Sequence, residues 1–362
     1  ILKDLVLNES HITIHDGQTD SLLLSLKNFN LDVSDIEVSD RTIAHSIPFI
    51  GEDYDVQSDS IFIKISPYEN LQIAQVNGDH NYTYLSGITY GTTLSKTDFD
   101  AGLIEEKDHY SIFIDSVQFQ NLGLESTGQE DLISFSAQKI SIVQPKIGIY
   151  RNKLLPDSYS EKPMYSSLLR ESPINIQIDS LQLKDAQFTY VERSKWENKG
   201  GKLEFNKMNV DITRLGNTYK NDTQVRLTTL FMGSAPFEGT WSFNVLDPND
   251  VFTFEGELHG LALNELNAFT QPYADTRLEG IMQDVYFNIY GNGETSTVDL
   301  KCKFNDVSIF LLKPGTRKKK KLLSALANVL VSTNSKHRGE DFKQVSVNVQ
   351  RDKTKSSWNY IF

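Results

Sequence analysis

The chain has 362 residues and a net charge of −12, with 39% hydrophobic, 10% aromatic and 23% charged residues. This composition supports a folded core and excludes a wholly disordered chain. No run approaches the roughly 20 apolar residues that a membrane helix needs. A single cysteine, Cys302, excludes a disulfide framework and a cysteine-based zinc site.

The sequence lacks the residue clusters and motifs that are typical of metal and catalytic sites. Of the seven histidines, only His11 and His15 lie close together. On a strand, residues four apart stand about 13 Å from each other, and the sequence places no third ligand beside this pair. Motifs of serine hydrolases, nucleotide-binding loops, zinc peptidases and calcium loops do not occur. We therefore expect no metal, no cofactor and no enzymatic activity.

Strands dominate the predicted secondary structure. Alternation of apolar and polar residues, which is typical of a strand with one buried face, occurs at 11–15, 60–66, 110–116, 174–180, 251–258, 285–291, 298–304 and 345–351. Clusters of Gly, Asn and Asp separate these runs and predict turns. The pattern indicates an antiparallel all-β architecture.

Two segments interrupt the alternation. The first, at 151–173, contains three prolines and is predicted to be a linker with one or two helical turns near 164–169. The second, at 261–273, is predicted to be a short helix that ends at Pro272.

A repeated unit runs through the chain. The segments 2–12, 114–124 and 178–188 share one pattern: an apolar residue, two polar ones, apolar-x-apolar, four spacers and another apolar residue. A shorter form, apolar-x-x-apolar-x-apolar, follows at 26–31, 137–142 and 205–210, and recurs at 258–263 and 304–309. The unit is therefore predicted to be a strand, a loop and a returning strand.

The spacing of apolar residues changes within each repeat. Ile178 is followed by Leu181, which an uninterrupted strand would place on the opposite face. A bulge at 179–180, and at 115–116 in the preceding copy, would return both residues to one face and bend the strand. Bends repeated at matching places curl a sheet. We therefore predict an elongated, twisted antiparallel sheet curled into a trough, built from repeated hairpin units with a few short helices. A sandwich whose second sheet covers the apolar face is the alternative.

The inner face of this trough is predicted to be apolar. Its candidate lining residues are Ile112, Ile114, Val117, Phe119, Ile176, Ile178, Leu181 and Leu183. From the pattern alone, these side chains either line a binding surface or serve as ordinary core.

Positive charge is concentrated near the end of the chain. From residue 313 onwards there are twelve basic and three acidic residues, although the whole chain is acidic. A basic run leads into an apolar helical face, and the segment 317–331 is predicted to contact an anionic membrane surface or an acidic partner. The contact residues are Arg317, Lys318, Lys319, Lys320, Lys321, Leu322 and Leu326. The alternative is a helix that caps the sheet. The acidic remainder would repel phosphate, so nucleic acid is not expected.

The stretch 255–313 resembles the AsmA-like proteins of Gram-negative bacteria. That family shows a glycine-led apolar stretch, a helix end with proline, and two further strands. The matching positions are Gly260, Leu261, Leu263, Leu266, Asn267, Pro272, Gly280, Ile281, Val285, Phe287, Phe304, Asp306 and Val307. The segment after 313 resembles the tail of Bacteroidota members, and the repeats extend the resemblance over 110–362.

The resemblance implies a periplasmic protein, anchored to the inner membrane by a segment that this chain does not contain. It also implies a non-enzymatic, bridge-like function, in which phospholipid or another envelope lipid is bound or transferred in support of outer-membrane biogenesis. The alternative is a scaffold or assembly subunit of a cell-envelope complex whose trough a protein partner covers. An enzyme acting on envelope glycans or lipids is a third reading.

Four regions follow from these patterns. Residues 1–150 are predicted to form an N-terminal β-repeat segment of the trough, and 151–173 a linker. Residues 174–312 are predicted to form the AsmA-like C-terminal β region, and 313–362 the basic amphipathic helix with a closing strand.

Overall fold

The computed structural model describes residues 3–34, 36, 38, 53–127, 132–312 and 342–361. In this part of the chain, seventeen strands belong to one sheet. They are β1 (Leu5–His15), β2 (Leu22–Ser34), β3 (Asp53–Ser58), β4 (Ser60–Lys64), β5 (Glu69–Asp79), β6 (Tyr82–Thr92), β7 (Asp108–Thr127), β8 (Leu132–Val143), β9 (Lys146–Asn152), β10 (Asn175–Arg193), β11 (Gly201–Gly216), β12 (Thr223–Phe231), β13 (Ala235–Phe243), β14 (Phe252–Ala262), β15 (Thr276–Gly291), β16 (Thr295–Leu311) and β17 (Lys343–Gln350). The described helices are α1 (Lys96–Ala101), α2 (Tyr165–Arg170), α3 (Asn267–Ala274) and α4 (Ser357–Ile361).

Most neighbours in the sequence are neighbours in the sheet, because nearly every strand pairs with the next one along the chain; the exceptions are β3 with β4 and β8 with β9. β3 and β4 together pair with β2 as one interrupted strand, and β8 and β9 pair in the same way with β7. The predicted antiparallel, curled all-β sheet is confirmed, and within the described residues no second sheet packs on it. Strands stand about 4.8 Å apart, so a sheet of this size is about 65 Å long.

One junction departs from the antiparallel pattern. β10 runs parallel to both β8 and β9. A parallel neighbour requires a connection that returns to the same end of the sheet. The segment 153–174, which contains α2, is that connection. The predicted linker at 151–173 therefore crosses a face of the sheet.

The strands bend at residues with a left-handed backbone. In the longer repeat, the same position has a positive φ in all three copies: Glu9 (43°), Asn121 (50°) and Asp185 (51°). In four of the five shorter forms, the residue with a positive φ is the third one: Asn28, Lys207, Gly260 and Asp306. Both forms therefore contain one motif, an apolar residue, a spacer, a left-handed residue, then apolar-x-apolar. In the first copy, Ser10 takes the place of the apolar residue that follows the left-handed one. Asn, Asp and Gly recur in it because they tolerate this conformation best.

The bends on neighbouring strands lie at the same level. Asp115 of β7 faces Gly87 of β6, which has a φ of 60°. On its other side, Asp115 faces Gln144, which lies between β8 and β9 and has a φ of 49°. Gln144 in turn faces Asp185 of β10. The register of β7 shows no shift at Asp115, where a bulge was predicted. A line of bends across successive strands curls the sheet.

The bulge predicted at 179–180 is also wrongly placed. The register of β10 is continuous across this point against both of its neighbours, and the register shift and the left-handed residue lie later, around Asp185. The residue that faces position 179, Arg214, has a φ of 56°, so the irregularity lies on the partner strand. Ile178 and Leu181 nevertheless pack in one cluster, as the prediction of a shared face requires.

The helix predicted at 261–273 is shorter and begins later. β14 continues to Ala262, and α3 begins at Asn267, whose side-chain amide bonds both the N–H and the C=O of Leu278. Pro272 lies inside α3. The helix ends at Asp275, which has a left-handed φ of 47°.

We expect the left-handed positions to contribute measurably to stability. Asp185 is exposed, so Asp185→Val changes little burial but forces a β-branched residue into a positive φ. This strain should reduce the free energy of unfolding in urea by about 1–2 kcal/mol. Asp185→Asn should be nearly neutral. Gln187→Val, at an exposed position of the same strand, is the matched control, and an equal loss in that variant would contradict the role assigned to the backbone.

Candidate functional site

The apolar face of the sheet is organised in rows that run from strand to strand. One row crosses ten neighbouring strands, and every member faces the next in the strand register. It consists of Phe119, Ile140, Leu181, Ile212, Val225, Trp241, Phe254, Ile289, Val298 and Val347. The row runs perpendicular to the strands and therefore along the length of the trough.

A second row lies two residues away on each strand, and hence on the same face. It consists of Leu85, Val117, Ile142, Leu183, Val210, Leu227, Gly239, Gly256, Phe287, Leu300 and Val345. Neither row contains a charged residue. We call these two rows together the trough floor.

The glycines in the second row make space for aromatic rings. A Cβ atom on Gly256 would lie 2.4 Å from the ring of Phe287. That ring stacks between Phe237 and Phe254, with centroids at 6.0 Å and 5.7 Å. The floor is therefore continuous here, because rings from neighbouring strands fill the glycine positions.

A third row continues on the other side of the line of bends, towards the N-terminal edge. Its members are Ile14, Leu24, Ile63, Leu71, Tyr90, Ile112, Ile147, Phe188, Phe205 and Phe231. With the floor, this row extends the apolar face from β1 to β17.

All eight residues predicted to line the trough lie on this face. Six of them pack in a single cluster with Ile88, Ala137 and Ile140: Ile114, Val117, Phe119, Ile176, Ile178 and Leu181. Leu183 belongs to the second row, and Ile112 belongs to the third. Most are only half-buried, which leaves an apolar surface that the sheet itself does not cover.

The lining residues of the C-terminal half were missed from the sequence. Phe254, Phe287 and Ile289 lie in runs that are predicted to be strands, whereas Trp241 lies in none of them, and no copy of the longer repeat contains any of the four. Their alternation indicates a buried face without showing that it continues the face of the earlier strands. Only the register between strands provides that information.

The connection between β9 and β10 covers this C-terminal half. We call residues 153–174 the strap. Its Met164 is only 2% exposed and packs with Phe252, Phe254 and Ile289, all buried. The ring of Tyr165 meets the ring of Trp241 edge to face at 5.9 Å. The floor is thus covered over β13–β15 and more exposed over β7–β10.

Hydrogen bonds fix the strap to the turn before β14. Ser166 and Ser167 donate to the carboxylate of Asp250 at 2.8 Å and 2.7 Å. Arg170 donates to the same carboxylate at 3.0 Å and to the carbonyl of Val245 at 2.8 Å. Burial would raise the pKa of Asp250, but the bonds from Ser167, Ser166 and Arg170 outweigh it and lower the pKa. The carboxylate therefore stays charged at neutral pH.

Charged contacts and a hydroxyl join the strap to the chain around α4. The side chain of Glu106 is 1% exposed and contacts Lys153 of the strap and Lys355 before α4. Lys355 also lies 3.4 Å from Asp157. The hydroxyl of Ser357, the first residue of α4, donates to the carbonyl of Pro163 at 3.3 Å. Strap and helix thus form one connected unit.

The basic segment 317–331 lies outside the described residues. This includes its predicted contact residues Arg317, Lys318, Lys319, Lys320, Lys321, Leu322 and Leu326. The described part of the chain holds no group of three or more residues arranged to bind a metal ion. None of its helices is long and apolar enough to cross a membrane.

Comparison with known protein families and curated proteins finds no match. No model of a known protein family matches the chain, and no curated protein shows significant similarity to it. The resemblance to AsmA-like proteins therefore stays a prediction from the motifs.

We expect Asp250→Asn to loosen the strap. The substitution leaves Arg170 without its charged partner, and should cost about 2–3 kcal/mol of unfolding free energy at pH 7. Because the folded pKa of Asp250 is lowered, its contribution is fully present above pH ~4 and is lost as pH falls through the folded pKa. The gap between wild type and variant in urea titrations should therefore close on acidification.

Glu255→Gln, at an exposed position of β14, is the matched neutralising control. A gap that stays constant as the pH is lowered to 2, or an equal loss in the control, would contradict this account of the strap.

Proposed function

We propose that the protein binds lipids non-enzymatically, holding their acyl chains on the trough floor and passing them along it. The observation that carries the proposal is the uncharged floor, whose first row crosses ten neighbouring strands without a polar residue. With strands about 4.8 Å apart, that row is about 43 Å long.

The hydrophobic effect supplies the binding energy. Each methylene that leaves water for an apolar surface contributes about 0.8 kcal/mol. The side chains of the floor are similar from strand to strand, so an acyl chain meets sites of similar affinity and has no single tight site in which to stop. A headgroup remains in water at the open side of the trough, where its desolvation cost is avoided.

The cellular setting follows from the resemblance to AsmA-like proteins. We place the protein in the periplasm, held at the inner membrane, with a role in outer-membrane biogenesis. Phospholipid or another envelope lipid would be the cargo. The basic segment 317–331 would add contact with an anionic membrane surface.

A scaffold function is the second candidate, and the strap favours it. Met164 and Tyr165 already pack against residues of the floor, so apolar protein side chains can cover this surface. A partner protein that covered the remaining half in the same way would make the trough an assembly platform in an envelope complex.

Lipid binding should depend on the apolar inner face. Leu181 and Leu183 are half-buried, so Leu181→Asp with Leu183→Asp places charge on the floor at positions that water reaches. We expect this double variant to lose co-purifying phospholipid in mass spectrometry of gently extracted protein. It should also lose transfer of a fluorescent phosphatidylethanolamine between vesicles.

The matched control is Gln177→Asp with Gln187→Asp, which adds the same charge at exposed positions of the same strand. This control should keep both activities. Lipid-free wild-type protein that co-purifies with a stoichiometric protein partner would favour the scaffold and contradict lipid transfer.

A further inference from the structure

The helix α4 lies across the concave side of the sheet. The ring of Trp358 is 6.3 Å from that of Phe188 on β10 and 6.4 Å from that of Phe205 on β11. Two residues further on, Tyr360 meets Phe252 on β14 edge to face at 6.0 Å. A single turn of helix that contacts both β10–β11 and β14 must lie inside the trough.

Met164 of the strap belongs to the same contact. It packs in one cluster with Tyr360, Phe252 and Phe254. Phe254 is a member of the first floor row, which continues to Leu181 and Phe119 in the more exposed half. Strap and helix therefore stand on the path that leads along the floor.

Side chains, more than backbone pairing, hold this unit on the floor. Among the described residues, the backbone hydrogen bonds of 164–172 and 356–360 run within the strap and the helix, and those at 153, 156 and 162 join the strap to residues 193, 106 and 353, which are not floor residues. The contacts with the floor are apolar and aromatic, and an acyl chain can replace such contacts because they are not directional. Trp358 also remains 44% exposed, so it is only partly packed against the third row.

We infer that the strap and α4 form a displaceable plug, which closes the C-terminal half of the trough until an acyl chain replaces Met164, Trp358 and Tyr360 on the floor. This inference rests on the proposed function, since it names what competes with the lipid and where. It assigns an autoinhibitory role to the segment that also connects the two halves of the sheet.

An engineered disulfide between the strap and the turn before β14, which can be formed and reduced, tests the inference; we call this variant the lock. The Ser166 hydroxyl lies 2.8 Å from the Asp250 carboxylate, so Ser166→Cys with Asp250→Cys places two thiols on facing side chains, and a thiol titration verifies that they oxidise to a disulfide. Cys302 is fully buried and does not compete. We expect the oxidised protein to transfer fluorescent phosphatidylethanolamine between phosphatidylethanolamine–phosphatidylglycerol vesicles about tenfold more slowly than the reduced protein. Wild-type protein, whose Asp250 carboxylate still holds the strap, is assayed beside both redox states, because the reduced lock lacks that carboxylate.

The converse variant removes the plug side chains. Trp358→Ala with Tyr360→Ala exposes more floor, and bound lipid per protein should rise roughly twofold, in proportion to the apolar area gained. Circular dichroism and a thermal melt verify that this variant is folded. Hydrogen exchange supplies a readout that is independent of transfer, because amides at 164–170 and 357–361 should lose protection when vesicles are added to the wild type.

The outcomes separate the two proposals. Lipid that binds and moves equally well in the oxidised and reduced lock, with unchanged exchange at 164–170 and 357–361, overturns the plug and leaves lipid transfer standing. A complete lack of bound lipid in the wild type, the reduced lock and the alanine variant overturns the proposed function, and the plug with it.

Discussion

The trough depends on a backbone conformation that most residues avoid. A strand alternates faces, so apolar residues three apart can share a face only where the ladder is interrupted. Left-handed residues such as Asn28, Asn121 and Asp185 provide that interruption within one motif. Because bends such as those at Gly87, Gln144 and Asp185 stand at one level on neighbouring strands, they act together, and the sheet curls. Curvature and the continuity of the apolar face thus have the same local origin.

A single curled sheet does not bury the whole of its own apolar face. In a sandwich, the second sheet would bury the opposing face, but every described strand here belongs to one sheet. The protein covers part of this face itself, because Met164 and Tyr360 pack in one cluster with Phe252. Around the buried Val117 and Ile178, apolar side chains such as Phe119 and Leu181 stay only partly buried. Apolar side chains that stay partly exposed on one continuous face gain free energy when a ligand or a partner covers them.

The fold could be read from the sequence because its signals are local. Alternation, turns and the repeat predict one antiparallel sheet and place all eight lining residues on its inner face. The position of the bends was missed, because a changed spacing between Ile178 and Leu181 does not show which strand of a pair takes the left-handed step; in this pair it is Arg214. The parallel junction and the plug were missed because they are non-local. No pattern within residues 153–174 shows that Met164 would meet Tyr360.

The parallel junction also explains why a plug can exist at all. A parallel neighbour needs a crossover of a dozen residues or more, and 153–174 supplies it between β9 and β10. A crossover that served connection alone would need no apolar anchor on the concave side. This one carries Met164 into the floor cluster and Arg170 to Asp250. Because strands hold both of its ends, the strap can lift from the floor without leaving the trough. Return is then an intramolecular step, whose high effective concentration favours reclosure once a lipid has passed.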